Sequence, residues 1–181
     1  KQGNLVAPLH NPKSLEVINV LINKCPKSKH LAVFDTEVHQ TIKEDRKRIA
    51  IPSKFKLEKI GFHGLVVESI IDYFKKLKLI NKKIIAVHLG NGCSITSIKN
   101  GKVFDTSMDY TPLAGLPMGT RSGSLDPGVV LNLVKQVGVK QTENILWNES
   151  GLKGYSNGLS DIRDLIHTKK GNKIIDIFVQ R

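Results

Sequence analysis

The sequence predicts an α/β fold built around an antiparallel meander, and three observations predict it. The apolar run Ile84-Ile85-Ala86-Val87 enters His88-Leu89-Gly90-Asn91-Gly92, a buried strand running into a tight turn. Asn100-Gly101 supplies a second turn after the alternating segment Ser94-Ile95-Thr96-Ser97-Ile98, Asn-Gly being the strongest short hairpin signal. Segments of helical periodicity stand on both sides of this unit. A strand–loop–helix unit, then a meander, then helices, belongs to the α/β class.

Each element has its own local signal. Asn11 as N-cap and Pro12 at the first helical position open a helix with Leu15, Val17, Ile18 and Leu21 on its apolar face, closed by Pro26. Leu31-Ala32-Val33-Phe34 reads as a short apolar strand delivering Asp35 and Thr36 at its C-terminal end. Residues 43–59 are charged loop, interrupted by Ile49-Ala50-Ile51-Pro52. Gly61-Phe62-His63-Gly64 is a turn before a helix over residues 65–78, with Val66, Val67, Ile70, Ile71, Phe74 and Leu77 inward.

The meander occupies residues 84–106. Residues 106–124 form a long loop of the kind that is usually functional or disordered. Asp126-Pro127 starts a helix running to Gln136, and a short helix covers residues 142–148. Residues 151–158 form a second glycine-rich loop, and Ser160 caps a helix beginning Asp161-Ile162-Arg163.

Composition narrows the function classes. The 181 residues are 40% hydrophobic and 24% charged, an ordinary globular balance. No apolar run approaches the roughly 20 residues of a membrane span, and no signal peptide is visible. Cys25 and Cys93 have no metal-ligand spacing, so a reduced, cytoplasmic chain is expected. A start at Lys1 and a stop at Arg181 within an apolar-periodic stretch predict truncation at both ends. The net charge of +12 comes from 28 basic residues, of which five are arginine. The lysines follow amphipathic segments as a solvated face, and no zinc spacing or aromatic–basic interleaving accompanies them. Neither nucleic acid nor membrane is an expected partner.

The candidate chemistry is phosphoryl transfer. That reaction needs a phosphate cradle, positive charge on the oxygens in flight, and a carboxylate–metal system. Gly90, Asn91 and Gly92 bring backbone amides close to an anion, since glycine and asparagine tolerate positive φ. Arg121, in Met118-Gly119-Thr120-Arg121-Ser122-Gly123, is a planar donor charged at any working pH. Asp35 supplies a carboxylate, although a strand-end aspartate also makes structural turns, and His63 is a candidate donor to developing charge, although a lone histidine is more often structural. Asp161 and Arg163 stand at a helix start, where amides and arginine meet a nucleotide; first-turn aspartate is also plain dipole chemistry. No helix follows Gly90-Asn91-Gly92 and no Gly-x-x-x-x-Gly-Lys occurs, which excludes dinucleotide and P-loop readings.

Together these residues resemble the central part of the acetate kinase (acetokinase) family of short-chain carboxylate kinases. The matching stretches are Ala7-Pro8-Leu9-His10-Asn11-Pro12, Val33-Phe34-Asp35-Thr36 with His39-Gln40-Thr41, Gly61-Phe62-His63-Gly64 and His88-Leu89-Gly90-Asn91-Gly92. They continue through Asp105-Thr106-Ser107-Met108, Thr111-Pro112-Leu113, Met118-Gly119-Thr120-Arg121-Ser122-Gly123, Asp126-Pro127-Gly128 and Ser150-Gly151-Leu152, in family order.

The resemblance implies the actin-like/sugar-kinase (ribonuclease H-like) ATPase fold, a mixed sheet with flanking helices. Residues 1–35 would close a first domain and residues 36–181 open a second, nucleotide-binding one. It implies a homodimer that moves the γ-phosphoryl group of ATP to acetate with Mg²⁺, giving acetyl phosphate and ADP. By position it makes Asp35, His63 and Arg121 catalytic, with Asp35 near the metal and no complete metal site within these residues. It assigns His88, Leu89, Gly90, Asn91, Gly92, Asp161, Ile162 and Arg163 to ATP, and Leu9, Phe62 and Pro112 to the acyl pocket.

Two departures stand out. Leu65-Val66-Val67 follows Gly64 where the family usually has Thr-Ser-His, and Ser124 stands where it usually has an acid. They put the support of His63 and Arg121 in question. The alternatives are a propionate or butyrate kinase of the same family, or a truncated, non-catalytic remnant.

Overall fold

The computed structural model describes residues 11–181. Helix α1 (Asn11–Lys24) precedes a 3₁₀ turn (Glu37–Thr41), α2 (Glu44–Lys47), a second 3₁₀ turn (Ser53–Phe55) and α3 (Gly64–Lys76). Strands β1 (Lys83–Leu89), β2 (Cys93–Lys99) and β3 (Lys102–Thr106) follow. Helix α4 (Pro127–Asn144), a π-helical turn (Ile145–Glu149), α5 (Gly151–Ser156), α6 (Ile162–Leu165) and α7 (Lys169–Val179) complete the chain.

The three strands pair in the order β1-β2-β3, all antiparallel. A mixed sheet was expected. Tight turns join these strands, and such turns permit only antiparallel neighbours, so a parallel member would need a further strand. Register places Ile84 opposite Ile98 and Ile98 opposite Val103, which gathers them on one face. Val67 and Ile71 of α3, with Ile42, close over that face as the main core. A second cluster joins Phe62, Cys93, Met108 and Met118; a third joins Leu152, Leu165 and Ile174.

Several expectations are corrected. Residues 31–34 form no strand, and Leu31 is 89% exposed; no described strand offers them a ladder, and an isolated strand is not stable. Helix α1 stops before Pro26 as expected, yet Leu15, Val17, Ile18 and Leu21 are exposed, because α1 buries none of its residues among the described ones. Val66 on α3 and Leu77, which caps its C-terminus, are exposed rather than inward, to the side of the stripe through Val67 and Ile71. Residues 151–156 are helical rather than loop, with Leu152 packed in the third cluster. Asp161, not Ser160, caps α6, accepting from the Arg163 amide. Asp126 caps α4 as predicted, and left-handed Gly138 breaks that helix near the expected end at Gln136.

The contact that aims the fold is at the start of α3. The Gly64 amide donates to the Asp35 carbonyl at 2.7 Å. A Cβ on Gly64 would lie 2.0 Å from that carbonyl oxygen. Gly64→Ala is therefore expected to lower stability by about 1–3 kcal/mol or more through overpacking, measured by urea unfolding. Unchanged stability would show that the Asp35 segment is not packed there.

Candidate functional site

Asp35 clasps α3 with its side chain as well. Its carboxylate accepts from the His63 amide at 2.7 Å and the Leu65 amide at 3.2 Å. Negative charge at a helix N-terminus is stabilising, and these bonds satisfy amides that the helix itself leaves unpaired. His63 sits in the left-handed region at φ 60°, a conformation costing about 1–3 kcal/mol that persists only where its surroundings over-determine it. Asp35 provides that constraint. The result is a fixed imidazole projecting from the helix start toward the β1–β2 turn.

Three groups meet at that turn. His63 Nδ1 lies 2.9 Å from Ser94 Oγ on β2, and its ring lies 4.3 Å from the His88 ring. Arg121 reaches the same place from the long loop and is 5% exposed. Gly92 is where they converge: a Cβ there would stand 3.1 Å from His63 Nε2 and 3.4 Å from Arg121 Nη1. The glycine keeps this space open between two cationic or proton-donating groups, a cradle that suits a phosphate oxygen.

Arg121 is held on several sides. Its Nη1 donates to the Pro112 carbonyl at 3.2 Å, and its guanidinium lies 5.4 Å from the Trp147 ring, within cation–π range. Burial draws the guanidinium below its ordinary value, with the Cys93 thiol opposing, but arginine stays charged at any working pH. Burial also pushes the Cys93 thiol up, against the pull of Arg121.

The loop carrying Arg121 is pinned at its backbone. Met118 N–H donates to the Arg121 carbonyl, Gly119 N–H to the Asn91 carbonyl and Ser122 N–H to the Leu146 carbonyl. A Cβ on Gly119 would lie 2.5 Å from Asn91 Oδ1 and 3.0 Å from the Ser160 carbonyl. Residues 91, 119 and 160 are therefore in close contact, which brings the start of α6 beside the Gly90–Gly92 turn. There Asp161 and Arg163 form an exposed ion pair at 2.5 Å, and Arg163 holds the Asp161 carboxyl down to about 2.

The structure thus brings together Asp35, His63, His88, Gly92 and Arg121, and carries Asn91 next to the segment of Asp161, Ile162 and Arg163. Leu89, Gly90 and Asn91 are exposed along the turn. Phe62 fills the second core cluster, and Pro112 is buried with its carbonyl turned to Arg121. Leu9 lies outside the described residues.

The two departures resolve into local packing. Val67 belongs to the core, and His63 Nδ1 is within hydrogen-bond distance of Ser94 Oγ. Ser124 Oγ accepts from the Gly115 amide and closes the loop on itself. Ser94 and Trp147 were not predicted as site residues. Ser94 follows the turn on the strand opposite His88, so hairpin register alone was the available signal. Nothing local marked Trp147.

Among the described residues no three His, Cys, Asp or Glu side chains form a metal cluster. Mg²⁺ is typically bound by one or two carboxylates plus substrate phosphates and water, and the half-buried Asp35 carboxylate is of the donor type that such a site uses. Among the described residues no helix is long and apolar enough to cross a membrane.

The sequence profile of the Acetokinase family matches residues 2–181. The chain belongs to the acetokinase family. It is 43% identical over 176 residues to the acetate kinase of Borreliella burgdorferi, with 91% of this chain and 43% of that protein covered. It is 43% identical over 179 residues to the acetate kinase of Clostridium acetobutylicum, covering 93% and 44%. Among solved structures, Entamoeba histolytica acetate kinase superposes with a TM-score of 0.92 at 37% identity, over 99% of this chain and 50% of that one. A propionate kinase from Francisella tularensis superposes at 0.89, also 37% identical, over 97% and 48%. The chain thus spans about half the length of the acetokinase relatives it matches.

One consequence concerns His39, 1% exposed behind this site. Its Nε2 pairs with the Phe62 carbonyl at 2.8 Å, and Nδ1 has no hydrogen-bond partner among the described residues. Burial pushes the imidazole below its ordinary value, opposed by that bond and by Asp35. A lowered folded value makes the contribution full above the unfolded value of about 6.5 and lost as pH falls below it, at about 1.4 kcal/mol per unit of depression. Between about pH 7.5 and 5.5, thermal unfolding should show a larger loss in the unsubstituted chain than in His39→Gln. Equal losses would mean His39 is not held neutral.

Proposed function

We propose that the whole protein is an acetate kinase, transferring the γ-phosphoryl group of ATP reversibly to acetate. The observation that carries the reading is the convergence of His63 and Arg121 on the open space at Gly92. Family membership supports the reaction class, and the curated relatives reported above are acetate kinases. An acetate oxygen attacks the γ-phosphorus while the bond to the β–γ bridging oxygen breaks, and ADP leaves with that electron pair. Charge on the equatorial oxygens rises little but must be matched in place, and fixed donors do this without reorganisation.

In this reading Arg121 and His63 donate to the oxygens of the group in flight, and residues 88–92 line the donor phosphates. Asp161, Ile162 and Arg163 lie along the nucleotide. Asp35 would hold Mg²⁺, and the ion would supply charge that neutralises the phosphates. Phe62 and Pro112 are assigned to the acyl pocket in the same reading. A methylene in such a pocket changes preference by only about 1–3 kcal/mol, and the structural likeness to a propionate kinase makes propionate the natural second substrate. The reading also carries the division into a first domain through residue 35 and a nucleotide-binding domain from residue 36. A homodimer in the cytoplasm belongs to the same proposal.

The test is acetate-dependent ADP release from MgATP by the whole protein. Arg121→Ala should lower kcat about 10²–10³-fold with the KM for ATP nearly unchanged, as expected for a group acting on the transition state. Turnover that survives this substitution would remove Arg121 from the chemistry. A kcat/KM for propionate or butyrate well above that for acetate would reassign the substrate within the family.

A further inference from the structure

We infer that Ser94 is a positioning residue that fixes the tautomer of His63, so that the neutral ring presents Nε2–H to the Gly92 cradle. Ser94 Oγ is buried with a single hydrogen bond among the described residues, the 2.9 Å contact with His63 Nδ1, and Ser94 is 1% exposed.

A hydroxyl has one hydrogen to donate and two lone pairs to accept with. If Nδ1–H donated to Oγ, the serine hydrogen would be buried with no acceptor. If Oγ–H donates to Nδ1, that hydrogen is satisfied and only lone pairs are left over. A buried, unmatched donor is the rarer and costlier defect, so the second arrangement is favoured.

Its consequence lies on the other side of the ring. A neutral imidazole carries one N–H, and a proton kept off Nδ1 resides on Nε2. Nε2 is the atom that stands 3.1 Å from the position of a Cβ at Gly92, beside Arg121 Nη1. Among the described residues, the charged and titratable groups facing the ring include Asp35 at its own amide, His88 from β1 and Arg121 from the loop. The 2.9 Å contact of Ser94 Oγ with Nδ1 is the bond through which the serine hydroxyl selects the tautomer. The opposite tautomer would turn a bare lone pair toward the phosphate oxygens and repel them.

That last step rests on the phosphotransfer reading; the tautomer itself does not. The experiment is nitrogen-15 NMR of ring-labelled histidine in the whole protein at about pH 8.5, above the ordinary histidine value, with His63 assigned by His63→Gln. The unsubstituted protein should show Nδ1 unprotonated and Nε2 protonated. Ser94→Ala should give a tautomer mixture and lower kcat about 3- to 10-fold, the worth of one hydrogen bond, with the KM for ATP unchanged. Ser94→Thr, which keeps the hydroxyl, should restore the single tautomer.

An unsubstituted protein with the proton on Nδ1 overturns the inference, as does a folded Ser94→Ala that retains a pure Nε2–H ring. If Ser94→Ala does not fold, the unsubstituted spectrum decides alone. An Nε2–H ring in a protein without acetate-dependent turnover would uphold the tautomer and refute only the kinase reading.

Discussion

Asp35 grips the first turn of α3 through its backbone carbonyl and both carboxylate oxygens, and the site depends on that grip. It holds His63 in a left-handed conformation that a histidine does not adopt for nothing. The same three bonds supply partners for the amides that open the helix. Helix α3 in turn lays Val67 and Ile71 on the sheet, so the histidine is referenced to the same core that carries the β1–β2 turn. A carboxylate read from sequence as catalytic is thus also the mechanical anchor of its neighbour.

The second constraint is absence of bulk. Gly92 leaves room between His63 and Arg121, while Gly119 lets the loop press onto Asn91 and the Ser160 carbonyl. Close approach at these two positions puts three segments, distant in sequence, around one small volume. The backbone bonds of residues 118–122 to Asn91, to Leu146 and within the loop make a long connection rigid without regular structure of its own. Arg121 is presented from a fixed frame, so its charge need not be reorganised when a substrate arrives.

Much of this was legible in the sequence because the signals are local. The meander follows from two tight turns and an apolar strand, and α4 follows from Asp126-Pro127. What failed depends on partners that local pattern does not contain. Leu31-Ala32-Val33-Phe34 is apolar enough for a strand but has no neighbouring ladder among the described residues, and the apolar stripe of α1 buries none of its residues among them. The Gly151–Ser156 helix was hidden because two glycines outweigh propensity until Leu152 finds its cluster. In β2, Ile95 and Ile98 lie on opposite faces, so hydrophobicity could not choose which side was inward. Pairing of Ile98 with Ile84 chose it, and placed Ser94 beneath His63. Ser94 and Trp147 meet His63 and Arg121 over long range and could not be read from spacing.

The central claim is that His63 and Arg121 act together on a phosphoryl group seated over Gly90, Asn91 and Gly92. It is tested most directly by a crystal structure of the whole protein with ADP, Mg²⁺, acetate and a metal fluoride mimic of the group in flight. The account predicts the fluoride group against Gly92, with His63 Nε2 and an Arg121 nitrogen within hydrogen-bond reach of it. A mimic bound elsewhere, with the space at Gly92 empty, would contradict it.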